Sequence, residues 1–177
     1  AHTAHYLCGG SSCTNVGGHS EDNKVPFEPW DSDNSLPSSG TYYLTKNVTL
    51  SKTHEITGNL TLCLNGHSIT AKNSDPANGG EDGYVIRIRG DKTFTLTDCK
   101  NNTGTITHAE GAKGSVVNVQ VGTFNLYGGS ITGNTRGDSA SSGGVHVCAN
   151  KTFNMYGGSI TGNTAGYGGG VYVEQYG

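Results

Sequence analysis

A twelve-residue phrase that occurs twice sets the tightest limit on what this chain can become. FNLYGGSITGNT occupies 124–135 and FNMYGGSITGNT occupies 153–164, identical at eleven of twelve positions and offset by 29 residues. Each copy leads through Gly-rich residues into a short apolar run, GGVHV at 143–147 and GGVYV at 169–173. Looser copies lie upstream. LCLNGHSIT (62–70) aligns with FNLYGGSIT (124–132) without a gap, and FTLTDC (94–99) with GTIT (104–107) forms another copy around a short insertion. GYVIRIRG (83–90) and GSVVNVQVG (114–122) fall where GGVHV and GGVYV fall later. Internal repeats of this length mark stacked architectures.

Each copy has a direct physical reading. Phe-x-Leu alternates apolar with polar, the period of a strand with one buried face. Gly-Gly or Asn-Gly then turns the chain, Ser-Ile-Thr is a second strand with Ile inward, and Val-x-Val is a third. Three short strands and three turns in about 30 residues describe one coil of a parallel β-helix. Such a coil cannot bury its apolar side alone; stacking at ~4.8 Å joins the inward residues into a single core. Propeller blades are longer, ~40–50 residues with four strands. The expected inward set is Leu62, Leu64, Ile69, Val85, Ile88, Phe94, Leu96, Ile106, Val117, Val119, Phe124, Leu126, Ile131, Val145, Val147, Phe153, Met155, Ile160, Val171 and Val173. Asn125 with Asn154, and Tyr127 with Tyr156, are expected to form ladders outside. Cys63 and Cys148 are expected to point outward as well. Trp30, Leu36, Tyr42, Tyr43, Leu44, Val48 and Leu50 precede the first clear repeat and read as an entry strand pair that covers it, since an open solenoid end exposes core and strand edges.

Composition narrows the function classes. Lys and Arg number 11 against 14 Asp and Glu, for a net charge of −3, so no basic face for nucleic acid is expected. No run approaches the ~20 apolar residues of a membrane helix. Five Cys, an odd number, do not make a disulfide-dense framework.

The run GTYYLTKNVTLSKTHEITGNLTLCLNGHSIT (40–70), followed by YGGSITGNT and GGGVYV, resembles the parallel β-helix repeat regions of large surface proteins from gut Firmicutes. The resemblance spans about residues 30–177. It implies an all-β, right-handed parallel β-helix solenoid within a secreted or wall-attached bacterial parent, and it carries over no catalytic residue. The right hand also follows from the general rule for parallel crossovers. The chain stops at GGGVYVEQYG, where the next FNMYGG-like strand is due, so it reads as a piece with an incomplete last coil. The expected organisation is a Cys/His-rich knuckle over 1–29 and the β-helix with its entry cap over 30–177.

The first twenty residues, AHTAHYLCGGSSCTNVGGHS, hold His2, His5, Cys8, Cys13 and His19. Thiolates and imidazoles at such spacing suit structural tetrahedral zinc, and a segment this poor in apolar residues gains order from a metal staple. The other reading of the same residues is a Cys8–Cys13 disulfide with solvated histidines. On the solenoid, Tyr127, Tyr156, His146 and Tyr172 are the candidate ligand-binding residues, because aromatic rings stack on sugar faces.

The expected function is a non-catalytic extracellular scaffold or adhesion segment that binds a host or microbial glycan or protein. A fibre or stalk subunit with head-to-tail self-association is one alternative. The other is a polysaccharide lyase or glycoside hydrolase acting through residues among Glu81, Asp82, Arg87, Arg89, Asp91, Asp98, His108 and Glu110. Hydrolysis needs two spaced carboxylates, and lyase chemistry a base beside calcium.

Overall fold

The computed structural model describes residues 4–8, 21–73, 83–137 and 142–175. After one 3-10 turn (Glu21–Asn23), the regular elements among these residues are all strands. In chain order they are β1 (Glu28–Trp30), β2 (Gly40–Leu44), β3 (Val48–Leu50), β4 (His54–Ile56), β5 (Leu60–Cys63), β6 (Ser68–Ala71), β7 (Tyr84–Ile88) and β8 (Thr93–Thr97). There follow β9 (Thr105–His108), β10 (Ser115–Val119), β11 (Thr123–Leu126), β12 (Ser130–Thr132), β13 (Val145–Val147), β14 (Thr152–Met155), β15 (Ser159–Thr161) and β16 (Val171–Val173). They pair in parallel into three sheets: β1-β2-β5-β8-β11-β14, β3-β6-β9-β12-β15 and β4-β7-β10-β13-β16. From β2 onward the chain visits the first, second and third sheet in turn, five times over. This is a solenoid of five three-strand coils.

Register follows from the repeat. Phe124 lies between Phe94 and Phe153, Leu126 between Leu96 and Met155, and Ile131 between Ile106 and Ile160. Like side chains fill like spaces, so the phenyl rings stack with centroids 5.2 and 5.1 Å apart. Stacked rings add about 0.5–1.5 kcal/mol to the effect of burial itself. The outer ladders form too. The Asn154 amide donates to Asn125 Oδ1 at 2.9 Å, and the Tyr127 and Tyr156 rings stack at 4.5 Å.

Tight turns make this register possible. Gly129 and Gly158 occupy equivalent turns with φ of 91° and 75°. A Cβ on Gly158 falls 2.7 Å from the Gly129 carbonyl oxygen of the coil below, so the turns stack only without side chains there.

Three expectations need correction. Residues 40–56 are not an entry pair but a complete first coil. β2 pairs with β5, β3 with β6 and β4 with β7, and Tyr42 faces Leu62 only 20 residues on. Its connections are short, so the later turn phrases are missing from it. The cap lies earlier, in β1 and residues 31–39. There Trp30 packs edge-on against Tyr42, Leu36 is buried, and the Asp33 and Ser38 carbonyls accept from Thr49 N–H and Gly58 N–H. In β7, Ile86 rather than Val85 shares the face of Ile88, because it pairs with Val117; Val85 is nevertheless fully buried. Cys63 does lie opposite in parity to Leu62 and Leu64, yet it is fully buried. The N-terminal segment covers it: the Thr97 hydroxyl of the neighbouring strand donates to the Leu7 carbonyl.

Candidate functional site

Two groups of metal-ligating side chains stand out, one towards each end of the solenoid. The first begins with the N-terminal segment. His5 and Val25 exchange backbone hydrogen bonds as an antiparallel bridge, and the His5 ring stacks on Phe27 at 4.5 Å. This holds the imidazole against the outer face of the first sheet. There a His5 ring nitrogen and the sulfurs of Cys63 and Cys99 all lie within 4.8 Å of one another. His5 Nδ1–H donates to the Tyr6 carbonyl at 2.6 Å. That bond leaves the ring's lone pair on Nε2, the arrangement of a metal-bound histidine. The Cys63 thiol is held well above its usual range by its hydrogen bond with Cys99 and by burial. A neighbouring thiolate disfavours ionisation of the second thiol, and a cation beside the pair offsets that.

The sequence placed a ligand set at the same end of the chain but with a different composition. Cys8 is disulfide-bonded, and a sulfur in a disulfide has no thiolate to offer a metal. His2, Cys13 and His19 lie outside the described residues. Only His5 of the expected set joins a ligating group among the described residues. Cys63 and Cys99, its companions, are thiols. Sequence spacing did not point to them, because they meet His5 only after the N-terminal segment docks across the strands.

The second group sits on the outer face of the third sheet. Alternation puts Val145, Val147, Val171 and Val173 on one face, so His146, Cys148, Tyr172 and Glu174 take the other. His146 stacks directly below Tyr172, which meets it edge-on at 5.5 Å. Cys148 and Glu174 occupy the next equivalent places, and Glu174 N–H continues the ladder to the Val147 carbonyl. A His146 nitrogen, Cys148 Sγ and a Glu174 oxygen all lie within 4.8 Å of one another.

A polar network holds this group in place. His146 Nε2 lies 3.0 Å from Glu174 Oε1, and Nδ1 lies 3.2 Å from the Tyr84 hydroxyl. Arg136 donates to that hydroxyl at 3.2 Å and to Ser115 Oγ at 3.1 Å, with its guanidinium 4.9 Å from the Tyr84 ring centre. Glu174 Oε2 accepts from Ala149 N–H at 3.0 Å. Burial holds His146 below its usual value, partly opposed by Glu174. Burial, then the charge of Glu174, pushes the Cys148 thiol up to about 11.

The four residues expected to bind ligand together separate into two pairs. His146 and Tyr172 belong to the third sheet, while Tyr127 and Tyr156 follow strands of the first. The charged candidates for catalysis also have structural partners. Asp98 is buried and ties a turn together, accepting from the backbone N–H groups of Gly66, Lys100 and Gly104. Arg87 and Arg89 both reach Glu55, at 3.5 and 2.8 Å. His108 donates to Asn134, and Asp91 and Glu110 are exposed. Glu81 and Asp82 lie outside the described residues.

The geometry thus defines a parallel-stranded solenoid that carries ligating side chains on its outer faces. Comparison with protein-family models, with known proteins and with solved structures found no match.

Proposed function

We propose that this chain is a non-catalytic, rod-like scaffold segment of an extracellular bacterial surface protein, a right-handed β-helix with coils of about 30 residues after the first. The observation that carries the reading is the register. Equivalent residues of successive coils stack directly in all three sheets, so most of the sequence repetition serves stiffness along one axis. The Cys8 disulfide supports an oxidising, extracytoplasmic setting. Zinc held by His5, Cys63 and Cys99 pins the N-terminal segment over the first sheet, since its nitrogen and sulfur donors suit that ion.

Extension of single molecules held at both ends tests the rod. Unfolding is expected in steps of one coil, each releasing on the order of 100 Å of chain at ~3.5 Å per residue. A single low-force collapse sinks the proposal. A second reading, glycan binding, is favoured by the half-buried Tyr127–Tyr156 stack, a flat aromatic surface repeated between coils. A glycan array tests it: binding that disappears in Tyr127→Ala and Tyr156→Ala supports it, and no binding by the parent chain removes it.

A further inference from the structure

We infer that His146, Cys148 and Glu174 form a second site for a divalent cation of the zinc class, closed only when coil five stacks on coil four. The inference stands independently of the N-terminal zinc. Its donors come from two successive coils: His146 and Cys148 flank Val147 in coil four, and Glu174 follows Val173 in coil five. One nitrogen, one sulfur and one carboxylate oxygen lie within 4.8 Å of one another. That mixed set matches zinc; calcium and magnesium prefer oxygen alone.

The surroundings are those of an oriented ligand set. In the metal-free form the Tyr84 hydroxyl donates to His146 Nδ1 while accepting from Arg136, and His146 Nε2–H donates to Glu174. On binding, Nε2 turns its lone pair to the metal and the ring proton moves to Nδ1. The Tyr84 oxygen, with two lone pairs, then accepts from both Nδ1–H and Arg136. This is the outer hydrogen bond that metal-bound histidines have. Glu174 is aimed by the Ala149 N–H on Oε2, which leaves Oε1 for the ion. Cys148 loses its proton to solvent and binds as thiolate, so one proton is released per ion. Thiolate and carboxylate together balance the two charges of the cation. Three protein donors leave a fourth position for water or for a group from outside.

The site's place in the fold gives it a task. Coil five is less covered than coil four, with Met155, Val171 and Val173 exposed at 50%, 39% and 51% while Phe153 and Ile160 pack against the core. An ion bridging Cys148 and Glu174 fastens its third strand to the body.

The test uses the full chain, purified without chelators. Bound zinc is counted and cobalt spectra recorded for the parent, Cys148→Ser, Glu174→Gln and Cys63→Ser. Cys63→Ser is expected to retain one zinc equivalent and a thiolate-to-cobalt charge-transfer band from the second site, Cys148→Ser is expected to bind one equivalent fewer than the parent, and the Cys63→Ser/Cys148→Ser double variant is expected to lose both zinc and band. Glu174→Gln, which keeps the side chain's size, is expected to weaken binding by about tenfold or more. Zinc is expected to slow amide exchange at Val171–Val173 in the parent and not in Cys148→Ser. Unchanged zinc content and spectra in both Cys148→Ser and Glu174→Gln overturn the second site, whatever Cys63→Ser does. Zinc lost only in Cys63→Ser overturns it as well, while leaving the N-terminal staple intact.

Discussion

Coils four and five differ in environment far more than in sequence. FNLYGGSITGNT and FNMYGGSITGNT are nearly the same phrase, and both adopt the same strands in the same register. Yet Phe124, Leu126 and Ile131 are fully buried, while Phe153 and Ile160 are half-buried and Met155 is exposed. Burial in this molecule is therefore conferred by neighbours above and below, not by a coil's own residues. The opposite end makes the same point. The first coil lacks the repeat phrase, yet its Leu44, Val48, Leu50 and Ile56 are buried and Tyr42 is half-buried, because Trp30, Leu36 and the turn over 31–39 lie across it.

This contrast can be broken most forcefully at the phenylalanine stack. Phe124→Ala is expected to cost about 3–5 kcal/mol, the range for a large ring removed from a closed core. Phe153→Ala, with one side of its ring uncovered, is expected to cost roughly 1.5–2 kcal/mol. Urea unfolding of the two variants measures the gap, and equal losses mean that coil five is covered in solution.

The asparagine turn offers a finer comparison. Asn134 accepts from His108 N–H and Nδ1–H, and donates to Thr132 O and Asn163 Oδ1. Asn134→Ala strands those buried partners and is expected to cost about 1–3 kcal/mol. Asn163→Ala removes the acceptor of the Asn134 N–H and Nδ2–H, but at this half-buried position water can replace it, and the cost is expected at ~1 kcal/mol, the low end of that range. Thermal or urea unfolding distinguishes the two, and a larger loss at Asn163 contradicts the gradient.

Acid supplies the smallest perturbation. Burial holds His54 and His108 below their usual 6.5; the Pro37 carbonyl opposes this at His54, and Asn134 at His108, where the Arg136 charge adds to the lowering. The unfolded chain takes up these protons first. The stability they contribute is complete above pH 6.5 and falls away as the pH drops through their lower folded values. Melting temperature followed from pH 7.5 to 5 is expected to decline, and less steeply in His108→Gln. An identical slope in that variant removes His108 from the account.

The contrast also explains what could be read in advance. Phe94, Phe124 and Phe153, the alternating valines of β10, β13 and β16 and the Asn125–Asn154 ladder were legible because their spacing repeats and strand alternation fixes their faces, whereas Val85 was set on the wrong face. The first coil was not, since its short turns share no phrase with the others. The burial of Cys63 depends on residues 5–8 docking from outside the repeat. The grouping of His146, Cys148 and Glu174 was latent in VHVC and VYVE, but it appears only when one run is laid on the other at the paired register. The reach of Arg136 to Tyr84, 52 residues away, has no local signature.

The direct stacking of coil on coil carries a consequence for length. Because the upper face of one turn matches the lower face of the next, removing 123–151 brings Thr152 onto Thr93 and Phe153 onto Phe94, with every later strand still in step. A deletion of that one coil is thus expected to change reach and to leave the register of the remaining strands intact. Length in such a fold comes in whole increments, as a chain is adjusted by its links.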